Sequence, residues 1–140
     1  MNKGIIIILL ACLLAGCTSP EQSIVSQAPE IHAQAEYRKI TAEQAKAKMA
    51  DTDVFILLDV RTEEEFQEQR LAGAILIPDY EISLRAEEEL PDKEALILIY
   101  CRSGRRSELA ALELVSMGYT NVYDLGGIID WPYETIGSGQ

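Results

Sequence analysis

The chain carries one cysteine placed where a reactive thiol is expected. Cys101 begins the segment CRSGRRS and follows directly on the apolar run 95–100. The other two cysteines, Cys12 and Cys17, lie near the N-terminus, where the sequence predicts removal of the first and modification of the second. Cys101 therefore has no intramolecular disulfide partner, and a lone thiol in an exported protein calls for a chemical role. We expect that role to be nucleophilic.

The residues after Cys101 have the composition of an anion-binding loop. Gly104 lets the chain curl, so that successive backbone N–H groups converge, and a helix expected after the loop adds its positive end. The three cations Arg102, Arg105 and Arg106 add full charges. Each feature favours a thiolate, which predicts a nucleophile that needs no histidine base. The predicted site has Cys101 as catalytic residue and binds a small anionic substrate with Arg102, Ser103, Gly104, Arg105, Arg106 and Ser107. The alternative is a buried cysteine that ends a core strand, with solvated arginines around it.

Charge and composition exclude several other classes of site. The chain has 12 basic and 23 acidic residues and a formal net charge of −11, which argues against nucleic acid as a partner and against adhesion to anionic lipid by charge. The only histidine, His32, lies in a polar N-terminal stretch, and there is no Cys/His cluster. We therefore expect neither a metal site nor a cofactor.

Apolar runs and helix-capping patterns predict the elements that position the loop. The runs 54–58 and 95–100 are wholly apolar, as in strands buried on both faces of a parallel sheet. Thr41 with Gln44, and Thr62 with Glu65, match the capping box that begins a helix. The predicted helices are 42–50, 62–70, 82–90 and 107–117, and two further strands are 74–77 and 122–125. Alternating strands and helices indicate an α/β sandwich, in which sites lie beyond the carboxyl ends of the strands.

Four blocks of sequence, in this order, resemble a single-domain rhodanese. They are ILLDVRTEEEF (56–66), LAGAILIP (71–78), ILIYCRSGRRS (97–107) and VYDLGGIIDW (122–131). The resemblance covers about residues 37–133. It implies a rhodanese-like α/β/α sandwich with a mainly parallel central sheet, formed by a domain that we place at 37–140.

The resemblance also implies a reaction. It suggests a sulfurtransferase that moves a sulfane sulfur from thiosulfate or a related anionic donor to a thiol or cyanide, through a persulfide on Cys101. Carried over from the family, Arg102 to Arg106 supply the amide cradle and a cationic rim. Asp59 and Arg61 resemble a pair that supports the site. The sequence departs from the family pattern at Gln69 and Arg70, where Gly-His is common, and at Arg105, where a polar residue is common.

Two other functions remain open from the sequence. One is a sulfur carrier or docking module with little turnover, serving a membrane partner. The other is a phosphatase or arsenate-reductase-like enzyme, but those related enzymes hold a larger oxyanion in a Cys-x5-Arg loop. Here Cys101 to Arg106 gives Cys-x4-Arg, the shorter spacing that goes with sulfur transfer in the family.

The N-terminus resembles that of a bacterial lipoprotein. Lys3 precedes an apolar run, Gly4 to Gly16, that is too short to span a bilayer as a mature helix. Leu14-Ala15-Gly16-Cys17 resembles a lipobox, which implies a signal peptide at 1–16, lipidation of Cys17 and a flexible tether over 17–36. We expect an exported lipoprotein of the cell envelope, held to a membrane by its lipid. An ordinary secretory signal or an uncleaved anchor are the alternatives.

Overall fold

Five parallel strands form a single sheet in the computed structural model, which describes residues 36–138. The strands, in chain order, are β1 Arg38–Lys39, β2 Ile56–Asp59, β3 Ile75–Leu76, β4 Ile97–Cys101 and β5 Val122–Gly127. Their spatial order is β1-β5-β4-β2-β3, and every pairing between neighbouring strands is parallel. β4 is therefore the middle strand. The carboxyl ends of β2, β4 and β5 meet at one edge, as the sequence predicted for the site.

Four α-helices connect the strands. They are α1 Ala42–Asp51, α2 Glu63–Glu68, α3 Ile82–Glu89 and α4 Arg105–Ser116. Short 3-10 turns cover Asp79–Glu81 and Ile128–Asp130. Both predicted capping boxes are present: the Thr41 and Thr62 hydroxyls accept the N–H groups of Gln44 and Glu65, whose side chains accept in return. Each box satisfies backbone donors that a helix N-terminus otherwise leaves free.

Side chains of β4 alternate between two apolar cores. Ile97, Ile99 and Cys101 face a core that includes residues of α3 and α4, whereas Leu98 and Tyr100 face one that includes Ala45 of α1. All five β4 residues are buried. A strand covered on both faces cannot alternate with polar residues, which explains the unbroken apolar run in the sequence. The predicted α/β/α sandwich with a parallel sheet is confirmed.

Three of the differences from the predicted elements each have their own reason. β2 begins at Ile56 rather than at Val54, whose side chain is 80% exposed, because the first β2–β4 pair joins Ile56 and Ile97. α4 begins at Arg105 rather than at Ser107, because Gly104 takes a left-handed conformation and caps the helix directly. β1 was not predicted, since its two residues are too few to show a period.

The N-terminal predictions lie outside the described residues. These are the signal peptide, Cys12, Cys17, His32 and nearly all of the tether. Within residues 36–138 no helix combines the length and apolar character needed to cross a bilayer. The same part of the chain contains no group of three or more His, Cys, Asp or Glu side chains arranged to hold a metal ion.

Candidate active site

Cys101 lies at the carboxyl end of the middle strand. It is the last residue of β4, pairs with Gly127 of β5, and is 1% exposed. Its Sγ accepts a hydrogen bond from the Gly104 N–H at 3.1 Å. The chain thus turns back over the sulfur within three residues, which directs a backbone dipole at it. This contact favours negative charge on the sulfur.

The loop after Cys101 is a tight turn that leads straight into α4. Gly104 has φ +96°, a left-handed conformation that L side chains rarely adopt. The Ser107 hydroxyl donates to the Gly104 carbonyl at 3.0 Å, and the Ile129 N–H donates to the Arg102 carbonyl at 3.3 Å. Among residues 36–138, the N–H groups of Arg102, Ser103, Arg105 and Arg106 have no acceptor. The loop therefore offers several unpaired donors beside the sulfur, as an anion cradle requires.

The backbone of β5 packs directly against the backbone of this loop. A Cβ atom at Gly127 would lie 2.5 Å from the Arg102 carbonyl oxygen and 2.7 Å from the Ser103 Cα. The preceding Gly126 has φ +87° and donates its N–H to Asp124 Oδ1 at 2.9 Å. Only a residue without a side chain fits at position 127. Gly127 therefore supports the loop, a role that the sequence analysis did not assign.

The three loop arginines are not equivalent. Arg102 and Arg105 are exposed, whereas Arg106 is 26% exposed and donates from Nη1 and Nη2 to the two carboxylate oxygens of Glu65, each at 2.8 Å. The hydrogen bonds from Arg106 lower the pKa of Glu65 to about 2, so this carboxylate is ionised at neutral pH. The pKa of Arg106 is raised, chiefly by the Glu65 hydrogen bond, with a further contribution from negative charge on Cys101. Arg106 therefore interacts electrostatically with negative charge on the sulfur while its guanidinium is paired with Glu65.

Asp59 and Arg61 form a buried pair at the carboxyl end of β2. Arg61 donates from its backbone N–H and from Nε to Asp59 Oδ1 at 2.9 Å, and Nη2 donates to Oδ2 at 2.6 Å. Arg61 Nη2 also donates to the Gln69 carbonyl. Next to the pair, the Tyr100 hydroxyl accepts the Leu71 N–H at 3.1 Å. The two predicted supporting residues are thus brought together, and they tie β2 to the segment after α2.

Gln69 and Arg70, two of the three positions that depart from the family pattern, contact the C-terminal segment. The Gln69 amide donates to the Thr135 hydroxyl at 2.9 Å, and the backbone of Arg70 exchanges two hydrogen bonds with that of Ile136. This bridge is antiparallel and lies outside the named strands. These two positions therefore contact the chain end, whereas the third departure, Arg105, is exposed and lies in the cysteine loop.

A small cleft opens beside the loop. Its volume is about 180 Å³, and it is lined by Arg61, Glu65, Glu68, Gln69, Arg102, Ile128 and Ile129. Charged groups line one part and two isoleucines another. Arg102 is the residue of the cysteine loop that lines this cleft.

The loop could be predicted from the sequence, but two residues that support it, Glu65 and Gly127, could not. Glu65 was interpreted only as a helix-capping residue, and nothing nearby in the sequence indicates its contact with Arg106. Gly127 follows the predicted strand 122–125 and was given no role, although a Gly-Gly pair at the end of a strand is a signal for close backbone approach. Ser107 was predicted to bind substrate; its buried hydroxyl contacts the Gly104 carbonyl, and its binding role stays a prediction.

Comparison with known proteins finds similarity over most of the described residues. A family model for the rhodanese-like domain matches residues 41–133. A sulfurtransferase of Allochromatium vinosum is 37% identical over 94 residues, which cover 66% of this chain and 86% of that protein. The thiosulfate sulfurtransferase PspE of Escherichia coli is 41% identical over 73 residues, 52% of this chain and 70% of PspE. A solved rhodanese with anions from E. coli has a TM-score of 0.56 at 36% identity, covering 59% of this chain and 98% of its own.

Proposed function

The chain belongs to the rhodanese-like domain family and is a sulfurtransferase, and from this premise we propose that Cys101 carries the transferred sulfur as a persulfide. One observation carries the proposal: the Cys101 Sγ lies under a turn that donates the Gly104 N–H to it. The other unpaired N–H groups of the loop can donate hydrogen bonds to an outer sulfur that bears negative charge. The loop thus fits both the thiolate and its persulfide.

The first half-reaction is sulfur transfer from an anionic donor such as thiosulfate. The Cys101 thiolate attacks the outer sulfur of the donor, and a new S–S bond forms while the donor's S–S bond breaks. The electron pair of that bond leaves with sulfite. The exposed Arg102 and Arg105 attract the donor, and the N–H groups of the loop stabilise the negative charge on the transferred sulfur.

The second half-reaction regenerates the thiolate. An acceptor thiolate, or cyanide, attacks the outer sulfur of the persulfide and takes it, and the bonding electrons return to Cys101. With cyanide the product is thiocyanate, and no proton is transferred at Cys101. The Cys101 thiolate begins the first half-reaction and is restored by the second, so neither step needs a general base.

We expect ping-pong kinetics with thiosulfate and cyanide, because the donor product leaves before the acceptor reacts. Initial rates of thiocyanate formation, measured at several fixed cyanide concentrations, should give parallel double-reciprocal lines. Intersecting lines would show that both substrates bind together and would contradict a free persulfide enzyme. A persulfide that forms but is not discharged by cyanide or by small thiols would indicate a carrier serving a partner protein.

We further propose that lipid on Cys17 holds the protein to a membrane of the cell envelope. The proposal rests on the sequence from Leu14 to Cys17, and two or three acyl chains suffice for firm anchoring. We expect the wild-type chain in bacterial membranes, with Cys17 at its mature N-terminus, and Cys17→Ser without acylation. Fractionation followed by mass analysis of the N-terminal peptide decides this. A wild-type chain that retains Met1 and carries no lipid would contradict it.

A further inference from the structure

Glu65 forms an ion pair with Arg106, one of the three arginines of the cysteine loop. We propose that Glu65 is a specificity-determining residue: it neutralises Arg106 and thereby weakens the preference of the site for doubly negative sulfur donors over singly negative or neutral ones. The inference rests on the proposed function only in taking these donors as the substrates. The ion pair acts through the electrostatic potential at Cys101.

Glu65 and Arg106 form a bidentate ion pair, in which the carboxylate offsets the positive charge of the guanidinium. Both carboxylate oxygens accept from the guanidinium at 2.8 Å, which is the paired geometry that arginine and carboxylate favour. The side chains are only 20% and 26% exposed, so solvent and salt screen the charges less than at an open surface. Glu65 is also ionised at neutral pH, since its pKa is lowered to about 2 by the Arg106 hydrogen bonds.

The net positive charge at the loop is therefore smaller than its three arginines would give if all were unpaired. Within the described part of the chain, Arg102 and Arg105 have no ion-pair partner, whereas Arg106 is paired. Negative charge on Cys101 also contributes to the raised pKa of Arg106. Of the three cations in CRSGRRS, Arg106 is thus offset by a carboxylate that also lines the cleft.

A substitution at Glu65 can remove the charge without removing the helix cap. Glu65 Oε2 accepts the Thr62 N–H at 3.1 Å as part of the α2 capping box. At the same position in α1, the amide oxygen of Gln44 accepts the Thr41 N–H at 2.9 Å. The chain itself shows that glutamine performs this capping role, so Glu65→Gln isolates the electrostatic effect.

The experiment compares a negative and a neutral reagent at the same sulfur. Full-length protein is alkylated with iodoacetate or with iodoacetamide, and both rates are followed by mass spectrometry on the tryptic fragment 94–102, which contains Cys101. We expect Glu65→Gln to raise the iodoacetate-to-iodoacetamide rate ratio by about threefold to tenfold, because a nearby negative charge is removed. Glu68→Gln removes the same charge from the same cleft without contacting Arg106, and should change the ratio by less than about twofold.

A second pair of variants tests the pairing itself. Arg106→Gln leaves Glu65 uncompensated and should lower the ratio below that of the wild type. The double variant Glu65→Gln/Arg106→Gln should return it to within about twofold of the wild type. An unchanged ratio in Glu65→Gln, an equal change in Glu68→Gln, or a double variant that stays at the value of Arg106→Gln would each overturn the proposal. Alkylation needs no sulfur transfer, so these results are independent of whether Cys101 forms a persulfide.

Discussion

Cys101→Ser is expected to lose sulfur transfer by about a thousandfold or more, because it removes the nucleophile that both half-reactions share. Among residues 36–138, no base contacts this position to activate a serine hydroxyl: the polar contact to Sγ is the Gly104 N–H, which donates rather than accepts a proton. The change is nearly isosteric, so the buried end of β4 should keep its packing. Thiocyanate formation and circular dichroism, measured on the same preparation, check the two halves of this expectation.

Cys17→Ser is the matched control for loss of a thiol. Position 17 plays no part in the proposed chemistry, so this variant should keep its turnover while losing its membrane attachment. Substantial thiocyanate formation by a folded Cys101→Ser protein would mean that another group carries the sulfur. The assignment of Cys101 would then be wrong.

Gly127→Ala is expected to reduce kcat/KM for thiosulfate by about tenfold to a hundredfold, since it displaces the loop without touching any reacting group. The backbone of Gly127 has φ −103° and ψ 141°, which any residue adopts, so the effect is steric. A Cβ atom 2.5 Å from the Arg102 carbonyl oxygen must push that backbone away. Arg102 follows Cys101 directly, so the cradle moves relative to the sulfur. Overpacking of this kind also costs about 1–3 kcal/mol of stability.

Gly118→Ala separates loss of stability from loss of the site. Gly118 has φ +95°, so alanine there is strained by about 1–2 kcal/mol, and a Cβ atom would meet only the Lys93 side chain at 3.7 Å. It lies just beyond the C-terminal end of α4, at the opposite end from the cysteine loop. Chemical denaturation should show both variants destabilised, while steady-state kinetics should show loss of activity only in Gly127→Ala. Equal activity losses would contradict a specific role for Gly127.

Local sequence patterns predicted the elements that carry the site. β4 could be predicted because a strand covered on both faces needs an unbroken apolar run, and Cys101 could be placed because that run stops there. Thr41 and Thr62 marked the starts of two helices because a capping box lies within four consecutive residues. These signals are short-range, so the residues that carry them are adjacent in the printed sequence.

Contacts between distant segments could not be predicted in the same way. Glu65 and Arg106 are 41 positions apart, and each has a sufficient local explanation, as a helix cap and as a loop cation. The fit of Gly127 against Arg102 depends on the register of β5 beside β4, including the irregularity between Ile99 and Tyr100. Whether a pair is buried, or two backbones approach closely, depends on how the sheet assembles. The sequence of one segment alone therefore does not indicate it.

The most direct test of a persulfide on Cys101 is the mass of the fragment that contains it. The purified full-length chain is treated with thiosulfate, freed of excess reagent and digested by trypsin without reductant. The mass of fragment 94–102 is then measured by mass spectrometry. We predict a gain of about 32 Da, one sulfur atom, on Cys101, lost again on treatment with cyanide. The corresponding Cys101→Ser fragment should gain nothing. A folded protein with reduced Cys101 that acquires no sulfur from thiosulfate, polysulfide or a small persulfide donor would contradict the account.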